Sequence, residues 1–163
     1  MIQVNGVETL GDRAVADVVI AAVETFLKRG VQNIERKANE VRMSLIAKLE
    51  KQDPNADYDS INLPGTSVKQ ALVELGPTFH LLEPKHVIVE ICRGRSPVHE
   101  GRSMEALPGK ILVYPDVIDV TNMSAHGLSA REVTFHEMFH VCGETQHDGV
   151  IRYNHVGIRA VTE

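Results

Sequence analysis

The sequence has no tryptophan, only two cysteines, and aromatic residues at 4% of its 163 positions. So few rings leave little on which single-stranded bases could stack. Basic residues are also outnumbered: 17 Lys and Arg face 22 Asp and Glu, for a net charge of −5. Phosphate binding needs a positive field, so this balance disfavours nucleic acid as a partner. The local cluster Arg93, Arg95 and Arg102 reads as a solvated loop. Two cysteines are too few to staple a chain this long, and Cys92 and Cys142 are expected as free thiols in a reducing compartment. No apolar run approaches the ~20 residues that span a bilayer, so no membrane partner is expected. Met1 to Glu8 has neither a basic start nor an apolar stretch of the secretory kind, and the expectation is a cytoplasmic protein.

What is present is enough for a folded core. Apolar residues make up 43% and charged residues 24%, which excludes a disordered or fibrous chain. The alternation Ile2, Val4, Val7 around Asn5-Gly6 predicts a small hairpin with a two-residue turn. Asp12 then reads as the cap of a helix to about Arg29, with Val15, Val19, Val23 and Phe26 at helical spacing and Gly30 at its end. A more charged helix over about 32–52 carries the stripe Ile34, Ala38, Val41, Leu45 and Leu49, and Asp53-Pro54 stops it. These two helices are expected to form an N-terminal hairpin. Residues 53–66 read as a loop, dividing a helical front (1–60) from the rest (61–163) of what is expected to be one compact domain. A short helix over about 67–75 follows. Strands are predicted over 86–92 and 111–114, the latter open to continuation past Pro115, with a loop over 93–109 between them.

The segment 129–148 carries the chemistry. Ser129 and Glu132 form a capping-box pattern, and Gly143 marks a stop. The helix between them contains His136-Glu137-Met138-Phe139-His140. Positions i and i+4 share one face, one turn apart, so two neutral imidazoles there can bind one metal ion. Glu137 turns toward the same side, at about 100° from His136 and 60° from His140, within reach of a water beside the metal. Phe135, Met138, Phe139 and Cys142 form the opposite, core-facing stripe. Zn2+ is the expected cofactor from the ligand type and spacing. Another histidine, His147, follows the turn at Gly143.

This segment resembles the zincin metallopeptidases, and within them the metzincins, whose longer signature is H-E-x-x-H-x-x-G-x-x-H. The match runs from His136 through Gly143. It then departs: Gln146 stands where the third histidine falls, His147 comes one residue later, and no methionine follows Met138 to make the family's Met-turn. The resemblance implies an α/β (α+β) zincin-like domain with a short mixed sheet and an active-site helix. It implies a zinc-dependent peptidase with a protein or peptide as substrate. His136, His140 and His147 are the implied metal ligands, with Asp148 and Glu144 as alternatives to His147. Glu137 is the implied general base, and Tyr153 or His155 would help to hold the oxyanion. The segment 110–118 corresponds to the strand on which zincins lay an extended substrate. Two other readings stay open. One is a zinc-stabilised binding or regulatory protein that kept the fold without turnover. The other is an assembly protein working through helices 12–52.

Overall fold

The structure of the chain is a computed structural model that describes residues 1–58, 66–74, 78–97, 103–116, 130–143 and 161. Its elements are β1 (Ile2–Asn5), α1 (Leu10–Arg29), α2 (Val31–Glu50), β2 (Asp57–Tyr58), β3 (Thr66–Ser67), α3 (Val68–Glu74), β4 (Val87–Ile91), β5 (Met104–Leu107), β6 (Lys110–Val113) and α4 (Ala130–Val141). The expected α+β class is what is found: a four-stranded mixed sheet and, among the described residues, four helices. The chain divides into two compact units, Met1–Val31 with Leu81–Glu144 and Gln32–His80 with Thr145–Glu163.

The first unit holds the sheet, α1 and α4. Strand order is β1-β4-β6-β5, with β1, β4 and β6 parallel and β5 antiparallel to β6. Alternation decides which face is buried. Val87, Val89 and Ile91 of β4, Ile111 and Val113 of β6, and Met104 of β5 point to one side and are buried. Helix α1 packs on β4, α4 packs on β5 and β6, and the two helices pack on each other. Both therefore cover the same sheet face, giving two layers around one core. Phe26, Phe135, Met138 and Phe139 fill the space between them.

Three local features differ from the sequence expectation. The segment 2–9 is not a hairpin: β1 pairs in parallel with β4, with Ile2 opposite Val87 and Val4 opposite Val89. An alternating pattern specifies a half-buried strand but not its partner. Gly6, at φ +83°, turns the chain out of the ladder where a Cβ would run into the Ile91 carbonyl. The cap of α1 is Thr9, not Asp12. The Thr9 hydroxyl accepts from the Asp12 N–H at 3.0 Å, and Asp12 Oδ2 accepts from the Thr9 N–H at 3.1 Å, a closed capping box. Gly30 ends the helix at φ +90° as expected of a glycine there, although its ψ of 126° lies outside the left-handed helical region. Finally, the predicted loop 93–109 contains β5. Leu107 lies opposite Lys110 across Pro108-Gly109, with Gly109 at φ +70°. Proline followed by a positive-φ glycine is the chemistry of a type II turn.

The second unit holds the rest of α2 with α3 and the two-residue antiparallel pair β2–β3, which lies in the segment read as a loop. The α2 stripe is as expected: Ile34, Ala38 and Leu49 are buried, and Val41 and Leu45 are half-buried. Leu49 packs with Val68 and Ala71 of α3. Asn39 clamps the backbone of Phe79, its Oδ1 accepting from the Phe79 N–H at 2.8 Å and its Nδ2 donating to the Phe79 carbonyl at 3.1 Å. An asparagine side chain can satisfy both groups of one residue as a neighbouring strand would.

Candidate metal centre

Helix α4 carries the site because its two faces differ. Phe135, Met138 and Phe139, at 1% exposure or less, anchor one side in the core, and buried Cys142 follows just past the helix end. This is the expected stripe. Phe26 of α1 meets both aromatic rings edge-on, at 5.3 Å and 74° from Phe135 and at 5.9 Å and 78° from Phe139. Each such pair contributes about 0.5–1.5 kcal/mol beyond its area burial. The Arg29 and Arg131 guanidiniums each lie 5.6 Å from the Phe135 ring centre. Within α4, the Thr134 hydroxyl donates to the Ala130 carbonyl at 2.7 Å, and it also reaches Met104 Sδ of β5 at 3.6 Å.

His136 and His140 are half-buried and turn toward each other. Their rings lie 4.8 Å apart between centres, at 77°. Their Nε2 atoms approach to 3.2 Å, a distance at which one ring can donate to the other, the tautomers deciding which. That separation also tests the fit of zinc. An ion about 2.0–2.1 Å from each nitrogen would see them at roughly 100°, close to a tetrahedral angle. The pair is thus a ready two-nitrogen bite. Glu137, between them in sequence, is buried at 8% exposure. No further His, Cys, Asp or Glu joins the pair to make a three-ligand group among the described residues. His147, Asp148, Glu144, Tyr153, His155 and Ser129 lie outside the described residues.

The helix stops as its sequence predicts. Gly143, at φ +130°, follows the last turn, and its N–H bonds back to the His140 carbonyl at 3.2 Å. Cys142 is free and buried, and burial pushes its thiol up to about 12. Burial, helped by the Glu90 charge, also raises the Cys92 thiol. Neither behaves as a ready thiolate at neutral pH.

The strand expected to bind substrate is in the wrong place for that task. β6 has β4 on one side and β5 on the other, so its backbone groups are already used. The edge strand beside α4 is β5, which no composition signal had marked as a strand. The Tyr114 N–H donates to the Ser103 carbonyl at 2.9 Å, making 103 and 114 a hydrogen-bonded pair. Alternation along an antiparallel ladder then turns the N–H and C=O of Met104 and Ala106 away from β6. No strand pairs with that outer edge among the described residues.

Arg93 is not simply a solvated loop residue. Its Nη2 donates to Asp12 Oδ2 at 2.6 Å and to the Gly6 carbonyl at 2.7 Å, and lies 3.2 Å from Glu8 Oε2. It ties the end of β4 to the start of α1. The Arg93 hydrogen bond, followed by that from the Glu8 N–H, holds the Asp12 carboxyl well below the usual carboxylate range. Nothing in the local sequence pairs residues 81 positions apart.

No protein-family model, curated protein or solved structure matches this chain.

Proposed function

We propose that the protein is a zinc-dependent metallopeptidase acting on a protein or peptide in the cytoplasm. One observation carries the reading: His136 and His140 present their Nε2 atoms 3.2 Å apart on a helix whose other face is locked in the core. Two imidazoles with this bite, and a carboxylate between them in sequence, suit a hydrolytic zinc site. His147 is the third ligand in this reading, with Asp148 or Glu144 as the alternatives.

Zinc held there would polarise the scissile carbonyl and acidify a water. The protein groups do the rest. Glu137 accepts the proton of the attacking water and passes it to the leaving amine, so that a neutral amine departs. Supporting this role, Glu137 lies between the two histidines in sequence and is buried at 8% exposure. The outer edge of β5 holds an extended substrate through the backbone of Met104 and Ala106. Tyr153 supplies a hydroxyl to the developing oxyanion.

A second reading has its own support. Gln146 occupies the place of the third histidine in the resembling family. A displaced ligand is expected of a zinc-stabilised binding protein without turnover. Purified protein without a histidine tag should be assayed for zinc and for cleavage of a random peptide pool. Cleavage by wild type and its loss in Glu137→Gln, with zinc retained in both, supports the peptidase. Zinc without cleavage in either protein supports the binding protein. Absence of zinc after metal is added back sinks both.

A further inference from the structure

The two aromatic rings on α4 sit at the same spacing as the two histidines, offset by one residue: Phe135 precedes His136 and Phe139 precedes His140. Phe26, fully buried on α1, touches both rings edge-on. The separation of the imidazoles is a property of the helix itself, since i and i+4 lie one turn apart. The direction in which the pair faces is not. It depends on how α4 is rotated about its own axis, and the apolar face alone tolerates a range of settings.

We infer that Phe26 is a positioning residue that keys this rotation, and so aims the His136–His140 pair. This rests on the metal-site reading above. One ring seated edge-on against two others a turn apart resists rotation in either sense, because both rings lie on one side of the helix, about 40° apart around its axis, and turning it either way slides them off Phe26 and opens gaps there. The Arg29 and Arg131 guanidiniums at the Phe135 ring restrict it further. Phe26 touches no substrate and binds no metal. It acts on the chemistry only through the ring before each histidine.

The test uses the full chain with Phe26→Leu, which keeps the site apolar, beside Leu49→Ala, a buried change in the second unit, as a control for lost stability. Co2+ uptake is followed by its visible absorption, and Zn2+ affinity by competition with a coloured chelator. The metal-free imidazole resonances of His136 and His140 are recorded in parallel. The expected result is a Zn2+ affinity about tenfold or more weaker in Phe26→Leu, the loss typical of support removed from behind a ligand. An altered Co2+ spectrum and displaced imidazole resonances should accompany it, while Leu49→Ala matches wild type in all three. Wild-type affinity and spectrum in a folded Phe26→Leu overturn the inference. If wild type takes up neither metal, the metallopeptidase reading falls. The positioning claim is then decided by the imidazole resonances alone: displaced in Phe26→Leu only, it stands; unmoved, it is overturned.

Discussion

His136 and His140 face each other across one turn of α4 with their Nε2 atoms 3.2 Å apart. An ion about 2.0–2.1 Å from each nitrogen is compatible with this separation. The expected metal content is therefore about one zinc per chain. His136→Ala and His140→Ala should each lose it, whereas Glu137→Gln should keep it and lose cleavage by about 10²–10⁴-fold, the usual contribution of a general base. Elemental analysis with a peptide-cleavage assay reads both. Zinc retained in His140→Ala would remove the pair from the metal site.

The third ligand is tested separately. His147→Ala is expected to abolish or strongly weaken zinc binding, and Asp148→Ala to weaken it by about 10–100-fold if that carboxylate orients the His147 ring. The reverse order of effects, measured by chelator competition, would transfer the ligand role to Asp148.

Asp12 makes stability depend on acid pH. Its carboxyl is held far below the ordinary ~3.9 by Arg93 and by the backbone N–H groups of Glu8 and Thr9. A group with a depressed folded pKa contributes stability that is fully present above the unfolded value and is lost as pH falls toward the folded one. Stability of wild type relative to Asp12→Asn should thus be constant from neutral pH to about 5 and shrink below about 4. Urea unfolding across pH 2–7 measures it. An offset between the two proteins that persists unchanged at the lowest pH would contradict the pairing.

The outer edge of β5 gives a backbone test. Ala106→Pro removes an N–H directed away from β6 and leaves the ladder to β6 intact. Losing one main-chain bond to substrate should raise KM about 5–10-fold, with little change in Tm. A large fall in Tm with KM unchanged would mean that this N–H serves the fold instead.

The thiols should differ in accessibility. Cys142 is 2% exposed and its thiol is pushed up to about 12, so a thiol reagent at pH 8 should leave it unmodified in the native protein. Both Cys92 and Cys142 should react once the chain is unfolded in denaturant. Rapid native labelling of Cys142, located by peptide mass, would show that the end of α4 opens readily.

Much of the fold is legible in the order of residues. Val15, Val19, Val23 and Phe26 recur at helical spacing, and α1 forms there with that stripe buried. Val87, Val89 and Ile91 alternate, and β4 forms there with those side chains in the core. The opposition of Phe135, Met138 and Phe139 to His136 and His140 is likewise written in α4, because helical geometry alone separates those faces. These are local facts. Each depends on a period of two or 3.6, which the chain carries wherever it ends up.

Other features follow from contacts between distant residues. Alternation in Ile2 and Val4 is satisfied equally by a hairpin or by a parallel neighbour, and only the approach of β4 selects the latter. Met104-Glu105-Ala106-Leu107 has no strand propensity of its own. It becomes β5 because the Pro108-Gly109 turn folds it onto β6, where its backbone groups find partners and Met104 finds the core. That pairing moved the candidate substrate edge from β6 to β5. The bonds of Arg93 to Asp12 and the wedge of Phe26 against Phe135 and Phe139 are of the same kind. The residues themselves determined the helices, the strands with strong alternation and the pair of imidazoles on one face. Tertiary structure alone decided strand partners, the place of β5 at the edge of the described sheet and the ring behind the histidines, because packing complementarity depends on surfaces that meet only once the chain has closed on itself.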